Sequence, residues 1–106
     1  MSTYLTFGNY TSQGMAGLIS PDAGDRTSVM KAVCDSVGAK LIEYQVTRGI
    51  YDFFVITEAD SFDQVAAVIL KVSASGAVEN IQTLEVVDLE TIQSIANGVA
   101  YTPPGG

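Results

Sequence analysis

Apolar and polar positions along this chain divide it into strands and helices of ordinary length. Residues 3–10, TYLTFGNY, are β-branched and aromatic and predict a first strand. Thr11, Gly14, Gly17 and Pro21 punctuate residues 11–21, which predicts a turn with a short, irregular helix. Residues 22–37 predict a helix: Val29, Val33 and Val37 recur at helical spacing, Met30 and Cys34 widen the stripe, and Asp22 supplies the N-cap. Gly38 stands where a left-handed C-cap belongs. Residues 39–47 predict a second strand, Arg48-Gly49 a tight turn, and Ile50 to Thr57 a third strand. Residues 60–74 predict a helix capped by Asp60 or Ser61, with Phe62, Val65, Ala66, Ile69 and Leu70 as its stripe, closed by Ser75-Gly76. Residues 77–87 predict a fourth strand, and Asp88 caps a last short helix carrying Leu89, Ile92, Ile95 and Ala96 on one face. The order is strand, helix, strand, strand, helix, strand. It is the split βαβ, or ferredoxin-like, arrangement: an α+β fold with helices on one face of a four-stranded antiparallel sheet. Nothing divides residues 1–100, which read as one domain, and residues 101–106, YTPPGG, read as a flexible tail.

The predicted hairpin shows how the sheet is used. With Arg48 and Gly49 as its loop, Thr47 faces Ile50, Val46 faces Tyr51, Gln45 faces Asp52 and Tyr44 faces Phe53. Cross-strand partners share a face. One face then carries Ile42, Tyr44, Val46, Tyr51, Phe53 and Val55, all apolar or aromatic. The other carries Leu41, Ile50, Phe54 and Ile56 among Glu43, Gln45, Thr47 and Asp52. A sheet with one solvated face alternates cleanly between apolar and polar, and this one does not. Helices cover one face. With both long helices spent, the expected cover for the other is a second copy of the sheet.

Composition points the same way. Hydrophobic residues make up 47% of the 106-residue chain and charged residues 16%, below the ~25% usual in soluble domains. A domain of this length buries only ~60–65% of its unfolded surface and gains from a partner. The expected partner is therefore another copy of the chain, in a homodimer or higher oligomer. The net charge is −7, and the cations Arg26, Lys31, Lys40, Arg48 and Lys71 are scattered, which disfavours nucleic acid and anionic membranes as partners. The chain has no histidine and one cysteine, Cys34. Histidine-based triads, histidine haem ligation and zinc sites are excluded, and no intrachain disulfide can form. No metal or other cofactor is implied, and a reducing, cytoplasmic setting is expected. The segment MSTYLTFGNY is not a signal peptide, and no stretch reaches the ~18 apolar residues of a membrane span.

Gly49-Ile50-Tyr51-Asp52, opening an apolar strand, resembles the Gly-x-Tyr-Asp signature of the small bacterial GYD-domain proteins. Thr11-x-x-Gly14, Arg26, Gly38, Tyr44, Glu58-Ala59, Gly76-x-Val78 and Thr83 agree with the same pattern, which runs from about Tyr4 to Ile95. The resemblance implies a dimeric α/β barrel of two ferredoxin-like sheets packed face to face, and it implies no substrate. The family often has basic residues in the last strand, where this chain has Glu79, Asn80 and Glu85. No anion-binding role is carried over to that strand. A similar Gly-x-Tyr-Asp stretch occurs in the effector-binding domains of leucine-responsive regulators, which keeps ligand sensing open.

The candidate ligand-binding residues are Asp52, Tyr51, Tyr44, Gln45, Glu43 and Arg26. A carboxylate on a strand between Ile50 and Phe54 must be paired, hydrogen-bonded or protonated. Asp52 is therefore either a base or ligand contact beside Glu43 and Gln45, or, more commonly for such a residue, an acceptor of local backbone N–H groups or a partner of Arg48 or Arg26. Tyr51 and Tyr44 either orient a ligand or fill the core. Arg26 either binds a carboxylate or pairs with Asp22 or Asp52. Cys34 reads as a packed core thiol, and Asp60 and Asp63 as cap and dipole partners. The leading expectation is a small-molecule-binding or non-catalytic homo-oligomer. The alternatives are a cofactor-independent enzyme, a small oxygenase or isomerase with its site near Asp52, and a pure assembly module.

Overall fold

The computed structural model describes residues 1–105. In chain order the elements are β1 Ser2–Tyr10, α1 Ser12–Ile19, α2 Arg26–Asp35, β2 Lys40–Val46, β3 Phe53–Ala59, α3 Phe62–Ala74, β4 Val78–Glu85 and α4 Leu89–Ala96. The strands form one sheet in the order β2-β3-β1-β4, with every neighbouring pair antiparallel. This is the expected ferredoxin-like arrangement. β3 lies at the centre and buries every second residue, Phe53, Val55, Thr57 and Ala59. Tyr4, Cys34, Ala39, Ala59 and Val65 form the core, with Val37, Leu41 and Ile69 against it.

Several boundaries differ from expectation. α2 starts at Arg26 and is capped by Asp25, whose side chain accepts from the Thr27 N–H at 3.1 Å. Asp22 lies in the preceding turn, because Pro21 and Gly24, at φ +69°, interrupt helical geometry before that point. The later start turns Arg26, Met30, Val33, Cys34 and Val37 inward and leaves Val29 exposed. In α3 the inward positions are Val65, Val68, Ile69 and Val72, whereas Phe62 and Leu70 are exposed. Gln64 ties this helix to α2: its Oε1 accepts from the Asp60 and Ser61 N–H groups, and its Nε2 donates to the Val37 carbonyl at 2.7 Å.

The loop between β2 and β3 runs from Thr47 to Asp52 rather than over two residues, closed by a 2.7 Å bond from the Thr47 N–H to the Asp52 carbonyl. Val46 therefore pairs with Phe53, Gln45 with Phe54 and Tyr44 with Val55. Each partner has moved by an even step, so the two faces keep most of their members. Two corrections follow. Asp52 and Tyr51 leave the strand, and a bulge between Leu41 and Glu43 turns Leu41 inward and Ile42 outward.

The sheet is apolar on both faces. Leu5 and Phe7 of β1 pair with Ile56 and Phe54 of β3 on the side away from the core, flanked by Glu43 and Gln45 of β2. Beyond the sheet the chain does not turn back. Every residue from Leu84 to Gly105 is exposed, and the face of α4 formed by Leu89, Ile92 and Ile95 has no cover from its own chain. The radius of gyration is 17.7 Å and the longest dimension 64 Å, against a radius of about 13 Å for a compact chain of this length. Of the predicted tail 101–106, Gly106 lies outside the described residues and Tyr101–Gly105 continues the exposed arm. Among the described residues, no helix is long and apolar enough to cross a membrane.

Candidate functional site

The period of two in the central strands shapes a hollow between the inner sheet face and helices α2 and α3. Phe53, Val55 and Thr57 form its floor with Thr6 and Tyr10 of β1 and Tyr44 of β2. Met30 and Cys34 of α2 wall one side, Val68, Ile69 and Val72 of α3 another, and Val78 and Ile81 of β4 close the end. Gly8 makes the closure possible: a Cβ there would stand 2.5 Å from Ile81 Cδ1 and 3.3 Å from the Phe53 ring. The hollow is partly open and offers about 100 Å³, somewhat less than the ~150 Å³ of a cavity that holds benzene.

Few polar groups reach it. The Arg26 Nε is buried and has no hydrogen-bond partner, and the same holds for the Thr57 hydroxyl. The Tyr10 and Tyr44 hydroxyls are hydrogen-bonded to one another, and the Tyr10 ring lies 4.9 Å from the Phe53 ring. Burial first, then the bond to Tyr44, pushes the Tyr10 hydroxyl well above the ordinary tyrosine range, while the nearby Arg26 charge pulls weakly the other way. Tyr10 therefore stays a neutral proton donor at physiological pH. Burial also raises the Cys34 thiol, with the Asp35 charge adding to it. Cys34 is 1% exposed and is a packed thiol, not a nucleophile. Arg26 meets neither Asp22 nor Asp52. Among the described residues the ion pair present joins Lys31 to Asp35 on the surface of α2, at 2.8 Å.

The other candidates lie elsewhere. Asp52 Oδ2 accepts from the Tyr10 N–H at 2.9 Å and from Asn9 Nδ2 at 3.2 Å. Its own N–H donates to the Gly8 carbonyl at 2.8 Å. Asp52 thus clamps the β2–β3 loop to the end of β1, and it lines neither the inner hollow nor a shallower outer one. Gly49 takes φ +144° in this loop, a conformation that favours glycine. Tyr51 packs its ring at a tilt against Phe7, centroids 4.9 Å apart, and lines the outer depression with Ile50, Phe54 and Ile56. Gln45 donates to Glu43 at 3.1 Å on the exposed side of β2. The structure therefore brings Arg26 and Tyr44 together and leaves Asp52, Tyr51, Glu43 and Gln45 outside. Tyr10 and Thr57 were not among the sequence candidates. Their signal was parity: Tyr10 shares a face with Tyr4, and Thr57 shares one with Phe53 and Val55.

The arrangement has the chemistry of a binding site: a mostly apolar hollow, a buried guanidinium nitrogen without a hydrogen-bond partner, and a tyrosine pair beside it. Comparison with known proteins bears on the family and the fold. The sequence model of the GYD domain matches residues 4–96. No curated protein matches the chain. Among solved structures, the crystal structure of FFRP-DM1 is similar at 18% identity, covering 82% of this chain and all 100% of that one, with a TM-score of 0.53. TTHA0845 from Thermus thermophilus is similar at 15% identity, 83% and 95% coverage and TM-score 0.53. The hypothetical protein PHS023 from Pyrococcus horikoshii is similar at 18% identity, 83% and 92% coverage and TM-score 0.52. At these identities the likeness is one of fold alone.

Proposed function

The chain belongs to the GYD-domain family, and from that premise we propose that it is a cytoplasmic, homo-oligomeric small-molecule-binding protein whose ligand lies between helices and sheet. The observation that carries this reading is the inner hollow. A core designed only to be filled is packed to crystal-like density with few voids. Here β1, β3, α2 and α3 surround about 100 Å³ of space, with two buried polar atoms that have no protein partner. Such atoms are costly unless something bonds them.

The oligomer reading rests on the uncovered outer sheet face and on the exposed apolar arm. The lone, buried Cys34 suits a reducing compartment. An enzyme centred on Asp52 gains nothing from the geometry, because that carboxylate is bonded to the backbone of β1 and faces neither hollow.

Occupancy is tested with a filled hollow. Val72→Phe places a ring in the space, and the variant's fold is checked by circular dichroism. Small apolar molecules, both acids and neutral amides, should raise the melting temperature of the native chain and shift the amide NMR signals of Met30, Thr57 and Ile69. The filled variant should show neither effect. If no such molecule acts on the native chain, the reading fails.

A further inference from the structure

Arg26 has no anion of its own. It enters the hollow from the first turn of α2, and its Nε is buried without a hydrogen bond. The chain carries twelve acidic residues and a net charge of −7, yet among the described residues no carboxylate pairs with this guanidinium. The sequence offered Asp22 and Asp52 as partners. The first lies in the turn before the helix, and the second is used by Tyr10 and Asn9. The buried Nε, at a hollow also lined by Met30, Val68 and Val72, gains no partner from the described residues and is costly to leave unbonded, so an acceptor from outside the chain would satisfy it.

Resting on the reading of the hollow as a ligand site, we propose that it takes a monocarboxylate with a short branched or aromatic tail, its carboxylate on Arg26 and its tail among the valines of α3.

Shape and charge select this class. The guanidinium is a planar fork that matches the two oxygens of a carboxylate. One cation among apolar walls balances one negative charge, and a dianion such as phosphate would leave charge uncompensated inside an already acidic protein. The tyrosine pair supplies a further donor: in Tyr10–Tyr44 one hydroxyl proton lies between the two oxygens, and the other is free to point into the hollow. The raised Tyr10 hydroxyl keeps its own proton at neutral pH. A volume of about 100 Å³ limits the tail to at most roughly the bulk of benzene or a branched four- or five-carbon chain. The hollow also discriminates against amino acids. No acidic side chain lines it, so an α-ammonium group would be buried without a partner.

Three molecules on one carbon skeleton test this: isocaproate, its uncharged amide isocaproamide, and leucine. Titration calorimetry on the full chain at neutral pH and low salt should show isocaproate binding at least about tenfold tighter than isocaproamide, the factor expected for one charge-assisted contact. Leucine should bind at least about tenfold more weakly than isocaproate. In Arg26→Gln the acid should fall to the affinity of the amide, with amide binding unchanged within about twofold, while Arg26→Lys should retain part of the preference. The comparison of acid with amide on the native chain needs no variant to fold. Equal binding of acid and amide overturns the carboxylate assignment and leaves the hollow a ligand site. Unchanged acid binding in a folded Arg26→Gln chain also overturns it, as does leucine binding as tightly as isocaproate. Absence of binding by all three overturns both this assignment and the reading on which it rests.

Discussion

Asp52 and Tyr10 show how a single residue's role turns on what the fold brings to it. Asp52 was visible as a carboxylate among large apolar neighbours that had to be satisfied. Its partners were not visible, because Asn9 and Tyr10 are over forty positions away in sequence. The geometry makes it a clamp, and Asp52→Ala should cost about 1–3 kcal/mol in urea denaturation by leaving the Tyr10 N–H without an acceptor. Asp52→Asn keeps an oxygen at that place and should cost clearly less, with isocaproate binding unchanged in the folded variant. A general base at Asp52 would instead make the Asn variant inactive at normal stability. For Tyr10 the prediction is one of pH. Burial and the Tyr44 bond favour its protonated form in the folded chain, while the unfolded chain releases the proton near ~10. The associated stability is complete below about pH 10 and is lost as pH rises beyond it. Absorbance titration should show fewer than all five tyrosines ionising before the chain unfolds. Tyr10→Phe should flatten the alkaline decline of the melting temperature.

At the scale of elements, the residues that carry the family pattern prove to be joints. Thr11 caps α1 by accepting from the Gly14 N–H at 3.1 Å, and its own N–H donates to the Ala77 carbonyl at 3.0 Å. Gly14 lies so close to β4 that a Cβ there would stand 2.0 Å from the Ala77 oxygen. Gly17, one turn on in the same helix, has nothing within 4 Å of where its Cβ would be. Alanine should therefore act oppositely at the two glycines. Gly14→Ala should displace α1 and destabilise by about 1–3 kcal/mol, and Gly17→Ala should stabilise by about 0.5–1 kcal/mol. Thermal denaturation of the two variants checks the contrast, and equal effects would sink the account of α1's seat. The element order was legible because hydrophobic period is a local signal. The loop from Thr47 to Asp52 was not, because the bond from the Asp52 N–H to Gly8 that helps shape it belongs to another strand. The face assignments survived since the register moved by an even step. They failed at Leu41 and Ile42, where the bulge inserts an odd one.

For the whole molecule, the open question of cover becomes a prediction about association. The amphipathic stripe of α4 was plain in the sequence, but what lies against it was not, because nothing in the same chain does. A 64 Å molecule with an apolar arm and an apolar outer sheet has surface that water disfavours, by about 1.5–3 kcal/mol for each large side chain left fully uncovered. A second copy is the cover available at equal concentration, and two-fold symmetry would bury both arms and both sheets at once. Light scattering should find the chain dimeric or larger at micromolar concentration. Small-angle scattering should show an assembly more compact, relative to its mass, than two separate 64 Å chains. Ile92→Glu combined with Ile95→Glu changes only exposed positions and should leave the far-ultraviolet dichroism intact while weakening association at least about tenfold. If the doubly charged variant associates like the native chain, the arm is not part of the interface and the outer sheet face must carry it alone. A native chain that is monomeric at micromolar concentration would remove the oligomer from the proposal altogether. The ligand hollow would remain, because every wall of it comes from one chain.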